Sequence, residues 1–256
     1  MTVAVWGPPG CGKTALSVRL ALGLSEKETA ALLFCDTLAP PLAEVLSSGK
    51  EELLSVGGAL SSVEISEENV LKYANLYRSD GNIILFGYAP GENSRSYPVF
   101  SEGRAAAFIE TLAKTVDHLV IDCTSDAADD PLCVAALRNS DRVVRVYSPE
   151  RSSIIFYESN LSMFPDSEFN TGKHIRILNC PDGEIFPPLS ETAEGMKRCD
   201  GVFPHFRILK QRRAEGRELE RGGPRRLLRA TEKLCGFCRD ISGAETETDV
   251  DAEQNV

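Results

Sequence analysis

The chain has 256 residues, 42% of them hydrophobic and 26% charged, the balance of a soluble globular protein with a sizeable core. Its formal net charge of −10 argues against a surface built throughout to coat nucleic acid. No stretch approaches the ~18 unbroken apolar residues of a membrane span, and the N-terminus lacks the basic region, apolar run and cleavage site of a secretory leader. A cytoplasmic protein with no transmembrane segment is therefore expected, its eight cysteines present as reduced thiols.

The first strand is expected over Thr2 to Trp6, and it runs directly into Gly7-Pro8-Pro9-Gly10-Cys11-Gly12-Lys13-Thr14. These eight residues fit G-x-x-x-x-G-K-[ST] at every fixed position, with an apolar run before and a helical period after. A loop that wraps a polyphosphate must aim several backbone N–H groups inward, which the glycines permit, and the next helix presents its positive end to the anion. Lys13 is placed to reach the β- and γ-phosphates, and the Thr14 hydroxyl to ligate Mg²⁺. The segment predicts binding of a nucleoside triphosphate.

Leu16, Val18, Leu20, Ala21 and Leu24 predict a helix over 13–24. The apolar run Ala30 to Cys35 reads as a buried parallel strand delivering Asp36 to its C-terminal end, where open α/β sheets gather ligands; the alternative is a cap for the next helix. Leu42 to Leu46 and Glu67 to Leu76 read as helices flanking a weak strand near Val63 to Ile65. Asn82 to Phe86 reads as a strand and Arg104 to Val116 as an amphipathic helix. Val116 to Asp122 is a strand closing on an acid, and Asp122 is the candidate carboxylate for the Mg²⁺ side of the site. Asp126, Asp129 and Asp130 follow, with Asp130 placed to cap a helix through Arg138. Arg142 to Tyr147 and His174 to Leu178 are further strands, and Asn179 after the last could pair with a base edge or serve a turn. Alternating strands and helices predict an α/β protein with a mostly parallel central sheet covered on both faces.

His118, His174 and His205 show no ligand spacing and read as structural. The lone Cys235-Gly-Phe-Cys238 has no second pair nearby and reads as buried thiols rather than a metal site. From Arg207 to Arg229 the chain is basic, interleaved with Glu215, Glu218 and Glu220, which reads as a solvated face or as a DNA-binding one. Arg225 to Ile241 is amphipathic, read as docking on the core rather than on lipid. One domain over 1–239 and an acidic, disordered tail over 240–256 are expected.

Taken together, VAVWGPPGCGKTALSVRLA, AALLFCDTLAPPL, DHLVIDCTSDAADDPLCVAALRNSDRVVRVYSPE, IRILN and FPHFRILKQRRAEGREL resemble the MinD/ParA-type P-loop ATPases. Within them the sequence is most similar to the TadZ/CpaE-like pilus-assembly branch. The resemblance implies ATP and Mg²⁺ as cofactors, slow hydrolysis, an ATP-dependent homodimer and service as a positional switch. Its partners would be pilus or secretion components, recruiting it to the membrane or cell pole, with DNA the less favoured partner. It implies Lys13, Asp36 and Asp122 as catalytic, Thr14 and Asp122 at the metal, and Gly7 to Thr14 with Asn179 around the nucleotide. The family's usual second lysine falls on Pro8, its second acid after Asp36 on Leu38, and its usual prolines after Asp122 on Cys123-Thr124-Ser125. These departures set hydrolysis, more than binding, apart from the pattern; the alternative is a nucleotide-dependent scaffold that does not hydrolyse.

Overall fold

The computed structural model describes residues 1–46, 52–77, 82–179 and 194–239. The expected acidic tail, 240–256, lies outside them, as does Cys180. The strands are β1 (Thr2–Trp6), β2 (Ala30–Phe34), β3 (Asn75–Leu76), β4 (Ile83–Phe86), β5 (His118–Asp122), β6 (Arg142–Tyr147), β7 (His174–Asn179) and β8 (Gly201–Phe203). They form one eight-stranded sheet in the order β3-β4-β2-β5-β1-β6-β7-β8. Only β3 is antiparallel, paired with β4 at the edge. β1, β2 and β5 are buried along their whole length, as sheets covered on both faces require.

The helices divide between the two faces. Against one lie α1 (Lys13–Leu24) and α2 (Leu42–Leu46), with α9 (Arg207–Ala214) and α10 (Arg225–Arg239) from the end of the chain. Against the other lie α3 (Val56–Ser61), α4 (Glu67–Leu71), α5 (Glu102–Thr115), α6 (Pro131–Asn139), α7 (Arg151–Asn160) and α8 (Asp166–Phe169). Ser101 and Asp130 open α5 and α6 with side-chain caps, the latter accepting from Cys133 N–H at 3.0 Å as its position before Pro131 predicts. Two local expectations change. No strand forms at Val63–Ile65, and the helix from Glu67 ends at Leu71, giving way to edge strand β3. Asn75 explains the break: its side chain bonds the backbone of Leu54 at 2.9 and 2.8 Å, pinning the chain in an extended form that helix propensity alone would not choose.

Part of the basic stretch serves as structural braces. Buried Arg19 of α1 donates to the carbonyls of Glu218 and Glu220. Arg212 is buried and pairs with Glu220 at 3.1 Å, and Arg213 makes a two-pronged contact with Glu44 of α2 at 2.8 Å on each arm. Arg221 donates to the Leu22 and Ser25 carbonyls at 2.6 and 3.1 Å, closing the C-terminal end of α1. Three of the cations that made 207–229 look basic, buried Arg212 and exposed Arg213 and Arg221, are thus engaged within the chain, while Arg225, Arg226 and Arg229 stay exposed.

The amphipathic α10 docks on the core, burying Leu227, Leu234, Cys235 and Cys238. The Cys235 and Cys238 thiols are both pushed upward by burial, Cys235 to about 11, which makes them inert. The docking is close because α1 offers Gly23, where an added Cβ would stand 2.6 Å from Cys235 Sγ and 2.8 Å from Thr231 Cγ2. Gly23→Ala is therefore expected to destabilise by about 1 kcal/mol, the crowding outweighing the ~1 kcal/mol of helix propensity that alanine brings. Adding Cys235→Ala should restore part of the loss. Urea denaturation of both variants checks this; a stabilised Gly23→Ala would contradict the close approach.

Candidate functional site

The site assembles at the C-terminal ends of β1, β2, β5 and β7, because parallel strands all deliver their following loops to one edge. The β1–α1 loop holds Gly10 and Gly12 at φ 74° and 87°, left-handed conformations that favour glycine. At Gly12 space reinforces the requirement, since a Cβ would stand 2.3 Å from Asn179 Nδ2. That amide donates to the Cys11 carbonyl at 2.8 Å, so the end of β7 clamps the loop from outside.

Inside the loop, Lys13 extends from the first residue of α1, and its ammonium donates to the Pro8 carbonyl at 3.0 Å and to Ser125 Oγ at 2.8 Å. Both acceptors are neutral oxygens beside the loop. Thr14 Oγ1 donates to Asp122 Oδ2 at 2.7 Å. One turn on, Ser17 Oγ contacts Asp122 Oδ1 at 3.0 Å and the Lys13 carbonyl at 2.9 Å.

Asp122 is buried at the last position of β5, and burial pushes its carboxyl up to about 6 against the pull of Thr14, Lys13 and Ser17. The Ser17 hydroxyl has one proton for two acceptors, so a proton on Asp122 would give Ser17 a donor to accept from. Thr14 and Asp122 offer the hard oxygen donors that suit Mg²⁺, an ion that takes its remaining ligands from phosphate and water. Among the described residues no group of three or more His, Cys, Asp or Glu is arranged to hold a metal by itself.

Asp36 emerges beyond β2 on the neighbouring rung, where Phe34 stands opposite Asp122. Its Oδ1 accepts from the Leu38 and Ala39 N–H groups at 2.7 and 3.1 Å, a local turn. The cap expected as its alternative is thus made to 38–39 and not to α2. Pro9 is exposed at the rim of the loop, whereas Pro8 is buried and contributes its carbonyl to Lys13. Two contributors escape a reading of the sequence. Ser17 is a polar residue on the buried face of α1, four positions after Lys13, and that is its one signal. Ser125 is brought beside Lys13 by a loop that Trp6 Nε1 anchors through the Ser125 carbonyl at 3.1 Å.

No protein-family model and no curated protein matches the chain. Solved structures do. MinD from Pyrococcus horikoshii, complexed with Mg-ADP, superposes with a TM-score of 0.70 at 16% identity over 96% of this chain and 100% of its own. A ParA family ATPase from Chlorobium tepidum gives 0.75 at 16% identity, covering 91% of this chain and 98% of that one. A plasmid partition protein from Borrelia burgdorferi bound to AMPPNP gives 0.68 at 16%, over 92% and 97%. The chain has the α/β P-loop NTPase fold that these MinD- and ParA-type ATPases share.

The folded chain raises the Asp122 pKa above its ordinary 3.8, so this group's contribution to stability is complete below about pH 4 and is lost as pH rises through about 6. Asp122→Asn keeps an acceptor for Thr14, supplies a donor to Ser17 and removes the buried charge. In ligand-free protein the variant should gain on wild type as pH rises from 4 to 7, by up to about 3 kcal/mol at ~1.4 kcal/mol per pKa unit. Thermal denaturation across that range reads the difference; a gap independent of pH would mean that Asp122 does not titrate there.

Proposed function

We propose that this protein is an ATP-binding, MinD/ParA-like ATPase that acts as a nucleotide-dependent positional switch. The observation that carries the reading is the convergence of Lys13, Thr14 and Asp122 behind a loop whose Gly10 and Gly12 adopt left-handed conformations. In this reading the N–H groups of 7–14 and the N-terminal end of α1 hold the phosphates. Lys13 turns from Ser125 to the β- and γ-oxygens, and Thr14 and Asp122 hold Mg²⁺, directly and through water, the ion supplying charge neutralisation at the phosphates. Asn179 reaches the base with its side-chain oxygen while its amide stays on the loop. The neighbours solved with Mg-ADP and AMPPNP lend support to ATP and Mg²⁺ as this chain's ligands.

Hydrolysis is the slower part of the cycle. Pro8 offers no cation where the family's pattern has a lysine that reaches the partner's nucleotide, and a missing trans cation costs ~10³ or more in rate by analogy with arginine fingers. Asp36 would have to leave its turn with Leu38 and Ala39 to orient water. A homodimer formed with ATP, serving a Tad-type pilus or secretion machine, is the specific role that the sequence resemblance favours. A DNA-associated role finds less support, because Arg212, Arg213, Arg217 and Arg221 are engaged within the chain.

Calorimetric titration with Mg-ATP should show binding by the wild type and at least tenfold weaker binding by Lys13→Ala. No binding by the wild type would end the proposal. Phosphate release above the Lys13→Ala blank makes the protein an enzyme; a rate equal to the blank makes it a scaffold. Size exclusion should show a doubled mass with ATP and not with ADP.

A further inference from the structure

Three buried thiols meet directly behind the site. Cys35 and Cys123 are the residues that follow the register pair Phe34 and Asp122 on adjacent parallel strands, and Cys35 N–H donates to the Asp122 carbonyl at 3.1 Å. Cys133 comes down on them from the first turn of α6. The three thiols belong to one contiguous apolar cluster, with Cys133 beside the residue that follows Cys123. Cys133 Sγ also accepts the Thr124 backbone N–H at 3.2 Å and lies 3.6 Å from the Thr124 hydroxyl. The three are at most 2% exposed, yet Thr124 and Asp130 above them are only partly buried. We propose that Cys133, with Cys123 or Cys35 as its partner, is a site of reversible disulfide formation by a small peroxide, and that the bond weakens the neighbouring nucleotide site.

The chemistry follows from what surrounds the Cys133 sulfur. Donors at an acceptor sulfur in the first turn of a helix favour the thiolate, the form that attacks. These bonds hold the Cys133 thiol well below its ordinary range despite burial, whereas burial pushes isolated Cys11 and Cys235 up to about 11. The Cys133 sulfur would attack one peroxide oxygen, breaking the O–O bond and leaving a sulfenic acid and water. The sulfur of Cys123 or Cys35 then attacks the Cys133 sulfur, expelling hydroxide, which takes the attacking thiol's proton and departs as a second water. Two thiols and one peroxide become one disulfide and two waters.

The consequence is positional. An S–S bond of ~2.05 Å is shorter than any non-bonded contact between thiols, so the sulfurs must close on one another. Cys123 is covalently next to Asp122, and Cys35 next to Asp36. Drawing either toward α6 shifts the strand end that sets the 2.7 Å contact between Asp122 and Thr14. The effect on nucleotide rests on the function proposed above; the disulfide does not.

The full-length protein is treated with hydrogen peroxide, then alkylated under denaturing conditions and mapped by mass spectrometry. A Cys133–Cys123 or Cys133–Cys35 peptide, reversed by dithiothreitol, is expected, with Cys11, Cys235 and Cys238 left free. Cys133 remaining free while other cysteines oxidise overturns the proposal. Cys133→Ala should abolish the bond. If that variant does not fold, Cys35→Ala and Cys123→Ala should each leave one partner and one bond, and the double variant none. Mg-ATP affinity should fall at least tenfold on oxidation and return on reduction; an unchanged affinity in mapped, oxidised protein removes the coupling. If reduced protein binds no nucleotide, the functional reading fails, while the disulfide map still decides the thiol site.

Discussion

The buried carboxylate of Asp122 is the constraint on which the rest of the site depends. It ends the strand next to β1 and takes hydroxyl contacts from Thr14 and Ser17, so the first two turns of α1 are tied to β5 through one side chain. Burial makes that arrangement costly for an ionised acid, as its upward-shifted pKa shows. A divalent cation at the same oxygens would reverse the balance by favouring the charged form. The structural brace and the proposed metal ligand are the same group, and the tension between them gives ligand binding its leverage on the fold.

Around this acid the chain uses charged side chains as ties. Arg19, Arg212 and Arg221 run to backbone carbonyls at the end of α1 and in the loop between α9 and α10, joining the end of the chain to the first helix. Arginine suits the task because its planar fork serves two acceptors and its charge is weakly hydrated. A buried arginine also stands in the opposite half of the sheet, where Arg145 Nε donates to His174 Nδ1 at 2.7 Å. His174 is held neutral, its pKa lowered to about 3 by burial and by the positive charge beside it. Arg212 and His174 thus serve the interior, which explains why neither showed the spacing of a catalytic group.

The loop itself is shaped from both sides. Lys13 bonds within it and to Ser125, while Asn179 presses on Gly12 from β7. These contacts link the strand ends on which the candidate residues sit, so movement at one is felt at the others. The thiols of Cys35, Cys123 and Cys133 occupy the layer immediately beneath, in the larger apolar core, where a covalent change has few ways to be absorbed without moving the acids.

The sequence by itself determined the elements that local chemistry dictates. The phosphate-loop spacing, the bounds of α1 and β6, the Asp130 cap and the acid at the end of β5 were legible because glycine placement, hydrophobic period and capping act within a few residues. Tertiary structure decided whatever depends on partners far along the chain. It put Ser17 and Ser125 beside Asp122 and Lys13, set Asn179 against Cys11, and broke the helix from Glu67 through the Asn75–Leu54 bonds. It also drew Arg212, Arg213 and Arg221 out of an otherwise exposed basic run to brace α1, α2 and the loop after α9. In each case the residue type was visible, but its role rested on a contact made only when strands β2, β5, β1 and β7 bring their C-terminal ends to one edge.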